Sequence, residues 1–112
     1  MLTLQTRNMD PDIVVLDVTG RITMGRECKQ LEWETDTLVR ESKKKVVFDL
    51  SGVTHIDSTG IGIIVMCAGK VKQAGGKLHV CAQGHVEQVL KLTSVDKVVD
   101  LHPNIAAAAA GF

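Results

Sequence analysis

The sequence predicts a single α/β domain over residues 1–112, with a mixed, mostly parallel sheet of four to five strands, an N-terminal antiparallel hairpin and about four helices. Three observations predict it. Short β-branched runs alternate with stretches of helical period, the pattern of strands joined by crossover helices. The chain has 112 residues, the size of one domain. At 45% hydrophobic residues it can bury a real core, and with two Phe, one Trp and no Tyr that core must be aliphatic.

The elements follow in order. Leu2–Arg7 alternates apolar and polar residues, as a half-buried strand does. Asn8–Asp12 reads as a turn. Ile13–Val18 is nearly continuous and β-branched, suiting a more central strand that pairs with the first as a hairpin. Gly20 is expected to end it. From Arg26 to Lys44 the period becomes helical, with Cys28, Leu31, Thr35, Leu38, Val39 and Ser42 on one face. Trp33 falls on the opposite face among Glu32, Glu34 and Asp36, either as a partner anchor or folded back onto the core. Lys43, Lys44 and Lys45 suit a helix C-terminus.

Val46–Leu50 reads as a buried strand, and Ser58–Gln73 as a helix ended by Gly75 and Gly76. Lys77–Ala82 is the next strand. Val86, Val89 and Leu90 mark a short helix after Gly84, and Val98 and Val99 a last short strand. Pro103 suits the first turn of a terminal helix through Ala106–Ala110.

Composition narrows function. Thirteen basic residues balance thirteen acidic ones, so no basic face is offered to nucleic acid. Cys28, Cys67 and Cys81 are odd in number and lack CxxC spacing, which argues against a disulfide framework and a zinc site and for buried, reduced thiols. His79, His85 and His102 lack ligand spacing and read as structural or surface histidines, so neither a metal nor a cofactor is expected. No signal peptide and no stretch of membrane-spanning length is visible, so the chain is expected to be soluble and cytoplasmic, without membrane insertion.

The most informative run is Thr54-His55-Ile56-Asp57-Ser58-Thr59-Gly60-Ile61-Gly62, between an apolar strand and an apolar helix. A hydroxyl at such a turn is held out on the surface beside the positive end of a helix dipole, where an anion is favoured. A hydrolase nucleophile at Ser58 would need the G-x-S-x-G elbow and a positioned base, but its flanks are Asp57 and Thr59. His55 is three residues away, and its geometry is not given by spacing. No Walker A or dinucleotide fingerprint is present. Taken alone, Asp57 or Ser58 is fully explained as a helix N-cap.

On a helical wheel at about 100° per residue, Ile61, Ile64, Val65 and Ala68 form the expected core face. Gly62, Ile63 and Met66 fall on the other face with Thr59 and Lys70. That leaves an apolar patch beside Ser58, suited to a protein interface. Gly60 and Gly62 are expected to let a partner backbone approach.

The segment from Val46 to Gly62, with Gly20-Arg21-Ile22, Gly75–Leu78 and Val89–Thr93, resembles the STAS domain, specifically bacterial anti-sigma factor antagonists. The resemblance spans Leu2 to Ala110. It departs from the family pattern at Thr23, where Asp is frequent, and at Gly25-Arg26-Glu27, where small residues are usual. It implies a STAS-type β-α superhelix and a binding role without catalysis. It implies that Ser58 is the phosphoacceptor of an anti-sigma factor serine kinase, which the unphosphorylated chain binds so that a sigma factor is released. A serine phosphatase of the metal-dependent class would restore the active form. Gly20, Arg21, Ile22, Thr23, Asp57, Ser58, Thr59, Gly60, Gly62, Ile63 and Met66 would meet the partner, and the chain would be a monomer or weak homodimer. The alternative is a non-catalytic STAS scaffold or transport-complex subunit in which Ser58 is only a cap and contact residue.

Overall fold

A computed structural model describes residues 2–9 and 12–112; residues 10 and 11 of the expected turn lie outside the described residues. The strands are β1 (Leu2–Met9), β2 (Ile13–Ile22), β3 (Lys45–Ile56), β4 (Lys77–Cys81) and β5 (Asp100–His102). The helices are α1 (Arg26–Arg40), α2 (Ser58–Gln73), α3 (Gly84–Leu92) and α4 (Ile105–Ala110), with a short 3-10 turn at Val95–Lys97. The sheet runs β1-β2-β3-β4-β5, with β1 antiparallel to β2 and the other neighbours parallel. This is the mixed, mostly parallel sheet with a leading hairpin that the sequence predicts.

The period-two alternation of the strands splits the core. Val14, Leu16, Val18, Val46, Phe48, Leu50 and Val80 join Leu31, Ile64, Cys67, Val71 and Leu90 in the main core. Ile13, Val15, Val47 and Cys81 point the other way, into a smaller core with Ala108, Ile105 and Phe112. Thus α1, α2 and α3 share one face of the sheet and α4 packs on the other.

Several boundaries differ from the sequence reading. Gly20 does not end β2; the strand continues to Ile22, and the register against β3 shifts between Gly20 and Arg21. A φ of 109° at Gly20 makes that irregularity possible without steric cost. β3 runs on to Ile56, carrying the chain directly into Asp57. α1 stops at Arg40, four residues early. Ser42 takes a left-handed φ of 60°, and the amide of Lys43 returns to the Leu38 carbonyl at 3.0 Å. Lys44 donates instead to the Ala74 carbonyl at the end of α2. Val98 and Val99 precede the last strand, β5, rather than forming it. α3 includes Gly84. The terminal helix starts at Ile105 because Asn104 caps it, accepting from the Ala107 amide at 2.8 Å.

The three cysteines are buried and form no disulfide. Burial pushes the Cys67 thiol up to about 11 and the Cys81 thiol up to about 12, so neither is a thiolate nucleophile near neutral pH.

Candidate functional site at the start of the second helix

β2 and β3 end side by side, with Ile22 paired to Ile56. Asp57 follows, and its amide donates to the Ile22 carbonyl at 3.3 Å. Its carboxylate divides its two oxygens between two segments. One accepts from the Gly60 amide at 2.8 Å and caps α2; the other accepts from the Met24 amide at 2.9 Å and ties down the loop before α1. Bonds from the amides of Gly60, and then Met24, hold the Asp57 carboxyl below its ordinary range. Asp57, rather than Ser58, is therefore the cap. Ser58 and Thr59 are the first two helical residues, both exposed.

The sequence-predicted contact residues divide into two groups. Arg21, Ser58, Thr59, Gly62 and Met66 are exposed, while Gly20, Thr23 and Asp57 are partly buried. Ile22 is fully buried, and its side chain belongs to the main core. Gly60 is buried against β2: a Cβ there would lie 2.0 Å from the Ile22 carbonyl oxygen. The glycine serves close packing within the chain, not the approach of a partner. Ile63 is only 9% exposed and also belongs to the core. Three expected partner contacts, Ile22, Gly60 and Ile63, are thus corrected to core positions.

The wheel of α2 is turned relative to the expected one. Ile63, Ile64, Cys67, Ala68 and Val71 face inward, and Val65, expected in the core, is 39% exposed. The physical reason is that α2 packs against both the sheet and α1. Cys67 lies by the Leu31 carbonyl of α1 at 3.9 Å, and Lys70 reaches Glu32 and Asp36 of α1 at 3.1 and 2.8 Å. Those contacts cover the Ile63 side and leave the Val65 side open. Ser58, Gly62, Val65, Met66 and Gly69 are all exposed, at spacings that place them along one side of the helix. A Cβ at Gly62 would meet nothing within 4 Å.

Met24, 78% exposed and one hydrogen bond from Asp57, is the site residue that sequence reasoning missed. An isolated apolar residue in a loop carries no periodic signal, and only the Asp57 bond fixes its place beside α2. Trp33 is 62% exposed, so it does not fold back onto the core. His55 directs its Nδ1 to the Thr54 hydroxyl at 3.0 Å, and Thr54 donates to the Gly20 carbonyl. The arrangement is an exposed hydroxyl at a rigidly capped helix start, flanked by apolar side chains.

No helix among the described residues is long and apolar enough to cross a membrane. The chain is 28% identical over 98 residues to a candidate anti-sigma factor antagonist of Thermotoga maritima, covering 87% of each chain. It superposes on the crystal structure of an anti-sigma factor antagonist from Mycobacterium paratuberculosis with a TM-score of 0.86 at 26% identity, covering 99% of this chain and 93% of that one. The unphosphorylated form of the anti-sigma factor antagonist SpoIIAA shares the fold, with a TM-score of 0.72 at 12% identity over 97% of this chain and 96% of that one. The family model of the STAS domain matches residues 6–108, nearly the whole sheet and all the helices that carry the site, and on that match this chain belongs to the STAS domain family.

Proposed function

We propose that this chain is an anti-sigma factor antagonist, a non-catalytic binding module gated by phosphorylation of Ser58. In its unphosphorylated form it binds an anti-sigma factor serine kinase in the cytoplasm and so releases a sigma factor. A serine phosphatase of the metal-dependent class reverses the modification. The chain acts as a monomer or weak homodimer.

The observation that carries this reading is the position of the Ser58 hydroxyl. It is exposed at the first residue of α2, beside the Asp57 clamp and on the same side of the helix as exposed Val65 and Met66. Arg21, Thr23, Met24, Thr59 and Gly62 complete the docking surface in this reading.

The physical chemistry of a switch follows. A phosphoryl group brings about 1.5 to 2 negative charges and three acceptor oxygens. At a helix N-terminus that charge is tolerated, so the fold survives. Under a partner surface packed on Met24 and Met66 it would be buried without a counter-charge, at a cost of several kcal/mol. Each 1.4 kcal/mol is tenfold in affinity. Binding can therefore be lost without rearrangement of the domain.

The test is phosphopeptide mapping of wild type and Ser58→Ala after incubation with an anti-sigma factor serine kinase and ATP, with the kinase's affinity measured before and after. The expected result is one phosphate on Ser58, none in Ser58→Ala, and loss of binding on modification. Phosphate on Thr59, an unmodified wild type, or unchanged affinity after modification would each overturn the reading.

A further inference from the structure

We propose that His79, Asp100 and His102 form a binding site for a divalent first-row metal ion of the zinc type, on the face of the sheet opposite α2. The site is built by strand register. β4 and β5 are parallel, with His79 paired to Asp100 and Cys81 to His102. Because side chains alternate along a strand, Asp100 and His102 share a face, and it is the face that His79 presents toward α4. One ligand atom from each of the three residues lies within 4.8 Å of the others.

Hydrogen bonding fixes the chemistry at His79, which is only 1% exposed. Its Nδ1 lies 2.9 Å from the Ala108 carbonyl oxygen. A carbonyl only accepts, so Nδ1 carries a proton and Nε2 is the ring atom left to meet a ligand. It points to the Asp100 carboxylate. Nε2 is 3.1 Å from Asp100 Oδ2 and has no hydrogen-bond partner; the buried Nε2 of His102 has none either. Buried polar atoms without a hydrogen-bond partner are costly. A cation bound by these nitrogens and the Asp100 carboxylate would give both atoms a partner.

The geometry suits a metal. Ligands about 2.0–2.1 Å from one ion stand about 2.9–3.4 Å apart at right-angled to tetrahedral positions, the range of the His79–Asp100 separation. His102 offers the third ligand atom, within 4.8 Å of the other two. The His79 ring is held as a metal-ligating imidazole commonly is, by a bond from its other nitrogen to a backbone carbonyl. Phe112 stacks on it with centroids 3.9 Å apart, and a Cβ at Gly111 would come within 3.1 Å of both imidazoles, so the chain end closes over the rings. Asp100, with its side chain 56% exposed, leaves an entry path and an open coordination position. Two imidazoles and one carboxylate favour zinc-like ions over calcium or magnesium, which prefer all-oxygen ligands.

The test uses the full chain stripped with a chelator and titrated calorimetrically with Zn²⁺ and, separately, with Co²⁺. The expected result is one Zn²⁺ per chain and a melting temperature raised on the order of 10 °C at hundredfold excess over Kd. Co²⁺ should give a nitrogen–oxygen ligand-field spectrum without a thiolate charge-transfer band. Asp100→Asn, at an exposed site, should keep the metal-free melt and weaken binding at least tenfold, as should His102→Gln. Absence of stoichiometric Zn²⁺ binding in wild type would overturn the proposal. So would undiminished binding in Asp100→Asn, or a thiolate band that transfers the site to the cysteines.

Discussion

Two glycines two positions apart in α2 should respond to the same substitution with opposite signs. A Cβ at Gly60 would lie 2.0 Å from the Ile22 carbonyl oxygen and 2.9 Å from both its carbon and Cγ2, whereas one at Gly62 would meet nothing within 4 Å. To restore ordinary contact, the start of α2 would have to move more than about 1 Å from β2, against the bonds that pin it there. Overpacking costs about 1–3 kcal/mol, and a 2.0 Å clash with backbone belongs to the upper part of that range, about 2–3 kcal/mol. The better helix propensity of Ala returns at most about 1 kcal/mol. Gly60→Ala should therefore lose about 1–2 kcal/mol, and Gly62→Ala should gain up to about 1 kcal/mol. The two variants should melt on the order of 10 °C apart. Urea unfolding with unchanged m-values, read alongside thermal melts, measures the difference. A Gly60→Ala protein as stable as wild type would refute the reasoning, since α2 would then not be wedged against β2.

Two further expectations concern the same helix. Met66→Lys should change stability by less than about 0.5 kcal/mol while weakening partner binding, whereas Ile63→Lys should unfold or badly destabilise the domain; melts and partner titrations on both decide it, and equal destabilisation would make the Met66 side core. Because the Asp57 carboxyl is held low when folded, its contribution to stability is complete above the ordinary carboxylate range and fades as pH falls through the lowered value. Asp57→Asn should flatten that acid limb, which carboxyl NMR titration and pH-dependent unfolding can check; an Asp57 that titrates as in an unfolded chain would contradict the clamp.

Much of this architecture is legible in the sequence because its signals are local. The bounds of α2 follow from Asp57 at one end and Gly75 and Gly76 at the other, where capping chemistry depends on neighbours in the chain. The parallel sheet follows from strands alternating with helices. What escapes is whatever a distant element decides. Ile63 and Val65 are equally apolar, and only the crossing of α1 over α2 makes one core and the other surface. Gly20 resembles a strand end, yet its φ is absorbed by an irregularity in pairing with β3. His79 and His102 lack ligand spacing along the chain, and their meeting is a property of β4–β5 register. The Ser58 motif itself is local, and its place at the first turn of α2 is legible for that reason.

The Asp57 clamp also has a kinetic consequence. Its two carboxylate oxygens join the loop before α1 and the start of α2 into one body, so the surface around Ser58 exists before any partner arrives. Docking on a preformed surface carries little ordering entropy and proceeds at the about 10⁵–10⁷ per molar per second common to rigid encounters. In the proposed switch, a charge placed on Ser58 then shortens the lifetime of the complex more than it slows encounter. The tempo of that proposed switch then belongs to the enzymes that add and remove the phosphate.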